Sequence, residues 1–228
     1  MKALKAPFIQ IMHATKCFKD VVALNNINIS FERNQIHGII GRNGSGKTVL
    51  LKCICGLMYL DKGSIIVEGK RIGIDTDIPP DLGAIIEVPG FLPNYSGLQN
   101  LKFLAGINNK IKLPDIEESM RCVGLVPEMK KHVSKYSLGM RQRLGIAQAI
   151  MEKPKLLVLD EPMNGLDNAG VSDIRKLLLK LKSDGTTIIL ASHSKEDIQT
   201  LCDTVIEMDK GDIVFAESRS AQSALLTK

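Results

Sequence analysis

The chain has 228 residues, 44% of them hydrophobic and 24% charged, with a net charge of +5. That length and balance are ordinary for a soluble globular protein and suit one α/β domain, or one domain with an inserted subdomain. No run of 18 apolar residues occurs and Met1-Lys2-Ala3-Leu4-Lys5 opens no signal peptide, so a role at a membrane needs spanning helices from a partner. The basic block Lys130-Lys131-His132 is too short to argue for nucleic acid. Five cysteines, Cys17, Cys53, Cys55, Cys122 and Cys202, are odd in number and lack zinc-ligand spacing, which fits packing in a reducing compartment.

Along the chain, Phe8 to Ala14 predicts a first strand, Ile27 to Phe31 a second, and the apolar run 36–40 a third. Directly after it comes Gly41-Arg42-Asn43-Gly44-Ser45-Gly46-Lys47-Thr48, which matches G-x-x-x-x-G-K-[ST] in the strand–loop–helix setting that motif needs. Gly44 and Gly46 lack a Cβ, so the loop can wrap tightly and aim several backbone N–H groups at one anion. The helix that follows, from Lys47 to about Leu57, adds the positive end of its dipole. Lys47 then reaches the β/γ-phosphates as a point charge, and Thr48 offers its hydroxyl to Mg²⁺. A Gly-rich turn with no ligand is the alternative, and the flanking strand and helix weigh against it. The helix is apolar nearly all round, which predicts burial against a sheet.

Asp61-Lys62-Gly63 marks a turn before a short strand at 64–67, and another strand spans Leu82 to Val88. From 89 to 151 the pattern turns helical, with short helices at Gly97–Ala105 and Asp115–Val123. Ser137 caps a longer helix carrying the stripe Met140, Leu144, Ala147 and Met151. The α/β alternation then resumes with a strand at Leu156–Leu159, a helix at Val171–Leu181 and a strand at Thr187–Ala191. A hairpin follows around Asp209-Lys210-Gly211-Asp212. This order implies one α/β domain over 1–228, its core at about 1–88 and 152–228 and a helical subdomain inserted at about 89–151.

Leu156-Leu157-Val158-Leu159-Asp160-Glu161 supplies the second half of a site. Asp160 emerges at the carboxyl end of a buried strand, where ligands of open α/β sheets collect, and is suited to hold Mg²⁺. Glu161, one residue on, is placed to orient and deprotonate an attacking water. Without a phosphate loop upstream, the same pair would read as a solvated strand end.

With these motifs in this order, the chain resembles the ATP-binding subunit of an ATP-binding-cassette (ABC) transporter from about Ile9 to Phe215. Tyr136-Ser137-Leu138-Gly139-Met140 lies where that family's Leu-Ser-Gly-Gly-Gln signature belongs. Asn164-Gly165-Leu166-Asp167 looks like its D-loop, and His193 like its switch histidine. The resemblance implies a P-loop NTPase fold of ABC type with N-terminal antiparallel strands. It also implies ATP and Mg²⁺ as ligands, with Phe18 as the aromatic that stacks on adenine. An isolated Phe is core in most cases, and a lone His after a strand is structural more often than not. Ser137 and the Gly139 N–H are implied to touch ATP held by a second ATP-binding subunit, in a head-to-tail dimer on the cytoplasmic face of separate permease subunits.

Two departures from the family pattern stand out. Leu138 and Met140 replace a glycine and the glutamine of the signature, and Glu87 stands where a glutamine usually approaches Mg²⁺. Together with Arg141-Gln142-Arg143 they resemble the subgroup that exports bacitracin-type and lantibiotic peptides and confers self-immunity. An import motor, a soluble ABC-type ATPase and a regulatory cassette that binds ATP without cleaving it are the alternatives. Glu161 and His193 argue against the last. Phe91, Leu92 and Tyr95 fit a permease-docking face, and Phe91 and Leu92 fit the core equally well.

Overall fold

A computed structural model describes residues 6–218; the pentapeptide Met1–Lys5 lies outside them. Strands β1 (Ile9–Phe18), β2 (Val21–Phe31), β4 (Lys62–Val67) and the two-residue β5 (Lys70–Arg71) form an antiparallel sheet in the order β2-β1-β4-β5. The second sheet holds β3 (Ile36–Ile40), β6 (Leu82–Ile85), β7 (Leu156–Asp160), β8 (Thr187–Ala191), β9 (Thr204–Asp209) and β10 (Asp212–Ser218). Its order is β10-β9-β3-β8-β7-β6, parallel throughout except for β10, which closes a hairpin with β9.

The parallel strands read as continuous apolar runs because both their faces are covered. Alternation along β7 assigns the two sides. Leu156 and Val158 face a core shared with helix α1 (Lys47–Ile54), while Leu157 and Leu159 face the helical side. On the first side, Leu50, Leu51 and Ile54 of α1 are wholly buried between the two sheets, against Ile9, Ile11, Phe31 and Ile65. Each such side chain contributes about 1.5–3 kcal/mol. On the second side lie α2 (Gly97–Asn108), α3 (Leu113–Cys122), α4 (Leu138–Ile150), α5 (Asn168–Ser183) and α6 (Lys195–Leu201). Leu101, Met120 and Leu144 share one apolar cluster with Leu157, Leu159 and Leu190.

Several boundaries differ from the sequence expectation. The β1 strand runs on to Phe18 and β2 starts at Val21, so the first two strands are a long hairpin. Inside β2, ahead of the expected start at Ile27, Asn26 takes φ 50° at an irregularity in the pairing with β1, and its side chain bonds the His13 ring at 2.9 Å. Strand β6 stops at Ile85, ahead of Glu87 at φ 62° and of Pro89, which has no N–H to donate. Helix α1 ends at Ile54, short of Leu57, and α6 appears where none was expected. Among the described residues no helix is long and apolar enough to cross a membrane.

Candidate nucleotide site

The loop between β3 and α1 has an exposed half, Arg42 to Gly44, and a buried half, Ser45 to Lys47. Gly46 caps α1 in a left-handed conformation (φ 105°), and a Cβ there would stand 2.4 Å from the Ala23 carbonyl oxygen. Gly44 (φ 79°) has nothing within 4 Å of its would-be Cβ, which leaves open space in front of the loop. Lys47 is 8% exposed, and its Nζ donates to the carbonyls of Gly41 at 2.7 Å and Arg42 at 3.1 Å. The cation is thus held at the loop's mouth by bonds that phosphate oxygens can replace one for one. The Ser45 hydroxyl is buried without a hydrogen-bond partner, at a cost of about 1–3 kcal/mol. A loop with an orphan hydroxyl, a caged ammonium and free space fits an oxyanion ligand.

Strand order brings the rest of the site to it, because β8 lies beside β3 and β7 beside β8. At the end of β7, Asp160 Oδ2 accepts from Thr48 Oγ1 at 2.8 Å, tying the second half of the site to α1. Glu161 takes φ 50°, unusual for a residue other than glycine. Its N–H donates to Ala191 O at 2.9 Å and its carbonyl accepts from the Asn164 N–H at 3.2 Å. The amide of Gln142 donates to Pro162 O at 3.0 Å from α4 and closes the cradle. The sequence names Gln142 only as part of the Arg141-Gln142-Arg143 run, with no role at the Glu161 turn; a buried glutamine one turn into a capped helix is a visible but unspecific signal. Glu161 Oε2 stands 2.8 Å from His193 Nδ1, beyond the end of β8. Glu161 and His193, 32 residues apart, are therefore one unit.

The other expected residues make contacts of their own. The Glu87 carboxylate pairs with Lys52 Nζ at 2.7 Å and is 62% exposed, so the preformed oxygen pair is Thr48 and Asp160 without it. Among the described residues no three of His, Cys, Asp and Glu gather as a metal cage. Phe18 is 44% exposed, which removes the core alternative, and Lys16 Nζ stands 5.6 Å from its ring. Ser137 caps α4, its Oγ accepting from the Met140 N–H at 3.1 Å, which leaves its own hydrogen to donate. A Cβ on Gly139 would lie 2.8 Å from Gly165 O, and Leu138 packs over Gly165. No hydrogen bond or ion pair joins Ser137 or Gly139 to residues 41–48 of the same chain. Phe91 is partly buried against the core, while Leu92 and Tyr95 are exposed, Tyr95 edge-on to Phe103 at 5.1 Å. Burial pushes the Cys53 thiol up to about 11 and Cys55 to about 12, so both stay protonated packing groups.

A family model described as ABC transporter matches residues 24–164. An uncharacterised ABC transporter ATP-binding protein of Bacillus subtilis, YybJ, is 44% identical over 92% of this chain and 96% of its own length. The bacitracin transport ATP-binding protein BcrA of Enterococcus faecalis is 40% identical, covering 90% of this chain and 68% of its own. The lantibiotic transport ATP-binding protein SrtF of Streptococcus pyogenes is 35% identical, covering 91% of this chain and 89% of its own. A solved dimeric bacterial ABC transporter cassette shares the fold with a TM-score of 0.84 at 22% identity, covering 92% of this chain and 98% of that one. The family match spans more than half of the sequence, around a loop already shaped for phosphate: the chain belongs to the ATP-binding and ATP-hydrolysing subunits of ABC transporters.

Proposed function

We propose that this chain is the motor subunit of an ABC exporter of bacitracin-type or lantibiotic peptides. One observation carries the reading of its chemistry. The Thr48–Asp160 and Glu161–His193 pairs, each at 2.8 Å, come together where β3, β7 and β8 end beside one phosphate-shaped loop. ATP enters as substrate over Gly41 to Thr48. Lys47 exchanges two carbonyl partners for phosphate oxygens, and Ser45 gains the acceptor it lacks. Thr48 and Asp160 are hard oxygen donors of the kind Mg²⁺ takes, and the ion when bound neutralises charge across the β- and γ-phosphates. Glu161 accepts the proton of the attacking water. His193 steadies that carboxylate through Nδ1 and leaves its other ring nitrogen for a phosphate oxygen.

Phe18, exposed at the hairpin end of β1, offers its face to the adenine. Ser137 and Gly139 have no bond to their own phosphate loop, which supports a role at the nucleotide of a second subunit in a head-to-tail dimer. The 89–151 segment is the inserted helical subdomain, and exposed Leu92, Tyr95 and Phe103 on it, with exposed Val88 just ahead of it, suit docking to permease subunits at the cytoplasmic side of a membrane. The likeness to the bacitracin transport protein BcrA and the lantibiotic transport protein SrtF supports the cargo class. Glu161→Gln tests the mechanism: ATP binding is retained, hydrolysis slows by about 10²–10⁴-fold, and an ATP-bound dimer accumulates. Gel filtration in Mg·ATP that shows only monomer for this variant would count against it.

A further inference from the structure

We infer that Arg175 and Asp197 are positioning residues for ATP hydrolysis: their buried ion pair fixes the turn that aims His193 at Glu161. The inference rests on the catalytic reading of the Glu161–His193 pair. The His193 side chain is 72% exposed and its one polar contact is Glu161, so its aim is set by the backbone of residues 192–194 rather than by packing around the ring. That backbone is held from beneath by a closed hydrogen-bond ring. Ser192 Oγ donates to Asp197 Oδ2 at 3.4 Å and accepts from the Ser194 N–H at 3.1 Å. The Asp197 N–H donates to Ser194 Oγ at 3.2 Å.

Asp197 is only 2% exposed, and a carboxylate buried that deeply is costly unless paired. Arg175 on α5 supplies the pairing. Its Nε and Nη2 both donate to Asp197 Oδ1, at 2.8 and 2.6 Å, while Nη1 donates to the exposed Glu196 at 2.7 Å. The pair is not needed merely to join α5 and α6, since Ile174, Ile198 and Leu201 already share the apolar cluster between those helices. What the ion pair adds is the orientation of the Asp197 Oδ2 lone pairs toward Ser192, and through it the shape of the turn. Asp167 caps the N-terminus of α5 two turns before Arg175, and it lies two residues past Gly165, against which Gly139 of the signature segment packs. One rigid helix therefore runs from the signature contact to the histidine's anchor.

The test is a kinetic cycle on the full chain at saturating Mg·ATP, with Asp197→Asn, His193→Ala and the double variant. Asp197→Asn keeps the shape and removes the charge. Displacing a reacting group by a fraction of an ångström should lower kcat about tenfold while KM stays within about twofold. On the His193→Ala background the same change should lower kcat by less than about twofold, because nothing is left to aim. Equal factors on the two backgrounds, or an unchanged kcat for Asp197→Asn alone, would overturn the inference. Wild-type hydrolysis by His193→Ala would instead remove the catalytic reading itself, so the two failures are distinct. Should Asp197→Asn not fold, Ser192→Ala takes its place in the cycle, deleting only the hydroxyl between Asp197 and the Ser194 N–H. The same pattern is expected, and equal factors again refute.

Discussion

Replacing Gly46 and Gly44 separately by alanine tests whether the loop is built around a phosphate. At Gly46 the new Cβ would stand 2.4 Å from a backbone oxygen, so the loop must open by about 1 Å to reach an ordinary C···O contact. The φ of 105° is also hostile to alanine. About 1–3 kcal/mol for the strained backbone and about 1–3 for the crowding sum to roughly 2–6 kcal/mol. For a chain of this size each kcal/mol moves Tm by about 2–4 °C, so a drop of roughly 4–24 °C is expected without nucleotide. Gly44→Ala meets open space and bears only its positive φ, about 1–2 kcal/mol. Its larger effect should fall on ATP affinity, because on the proposed reading its methyl enters the space the phosphates take. Thermal unfolding and titration calorimetry on both variants give the comparison. An unchanged Tm for Gly46→Ala, or ATP binding by Gly44→Ala as tight as wild type, refutes the reasoning.

Ser137→Arg should leave ATP binding to the monomer intact while abolishing dimer-dependent hydrolysis; lost affinity in the isolated subunit would show the residue serves its own nucleotide. Glu87→Gln breaks only an exposed pair with Lys52, worth about 0–1 kcal/mol, so Tm should hold. Basal ATPase should change less than about tenfold, yet peptide resistance in cells should fall further, and full resistance with Glu87→Ala at normal protein levels would contradict this. His37 is buried, and burial outweighs the opposing pull of the Glu32 carbonyl and Asp203 to lower its pKa. The unfolded chain therefore binds a proton below about pH 6.5 that the folded chain refuses. His37's contribution is fully present above that pH and is lost as pH falls from there through the lowered folded pKa. A urea series from pH 7.5 to 5 should show a steeper decline for wild type than for His37→Gln, and parallel curves would argue against it.

The sequence revealed the chemistry more fully than the shape. Residues 41–48 and 156–161 were readable because phosphate binding demands fixed residue types at fixed spacing on a strand end. By contrast, the contact between Glu161 and His193 depends on β7 and β8 being neighbours, and no local pattern announces strand order. Helix α6 escaped because its 7 residues carry too few apolar positions to show a period. Its cap was visible all the same, with Ser194 three residues ahead of Asp197. The full length of the β1–β2 hairpin was not legible, because residues 15–26 are mostly polar or exposed and break the apolar alternation while the pairing runs on through irregularities. Glu87 was legible as a departure from the family pattern, but not its partner Lys52, which comes from the far end of α1.

Both neighbours of β3 are made late: β8 and β9 span residues 187 to 209. During synthesis the ribosome must add about 150 more residues after β3 before either partner exists, which at ~5–20 residues per second is a wait of roughly 7–30 s. Ile36, Ile39 and Ile40 lie on a strand that lacks both of its hydrogen-bonding neighbours during that interval. The phosphate loop therefore cannot acquire its final form on the nascent chain until nearly all of the domain has been made, so a stalled or clipped chain presents a bare apolar strand to chaperones and proteases instead of a half-working nucleotide site.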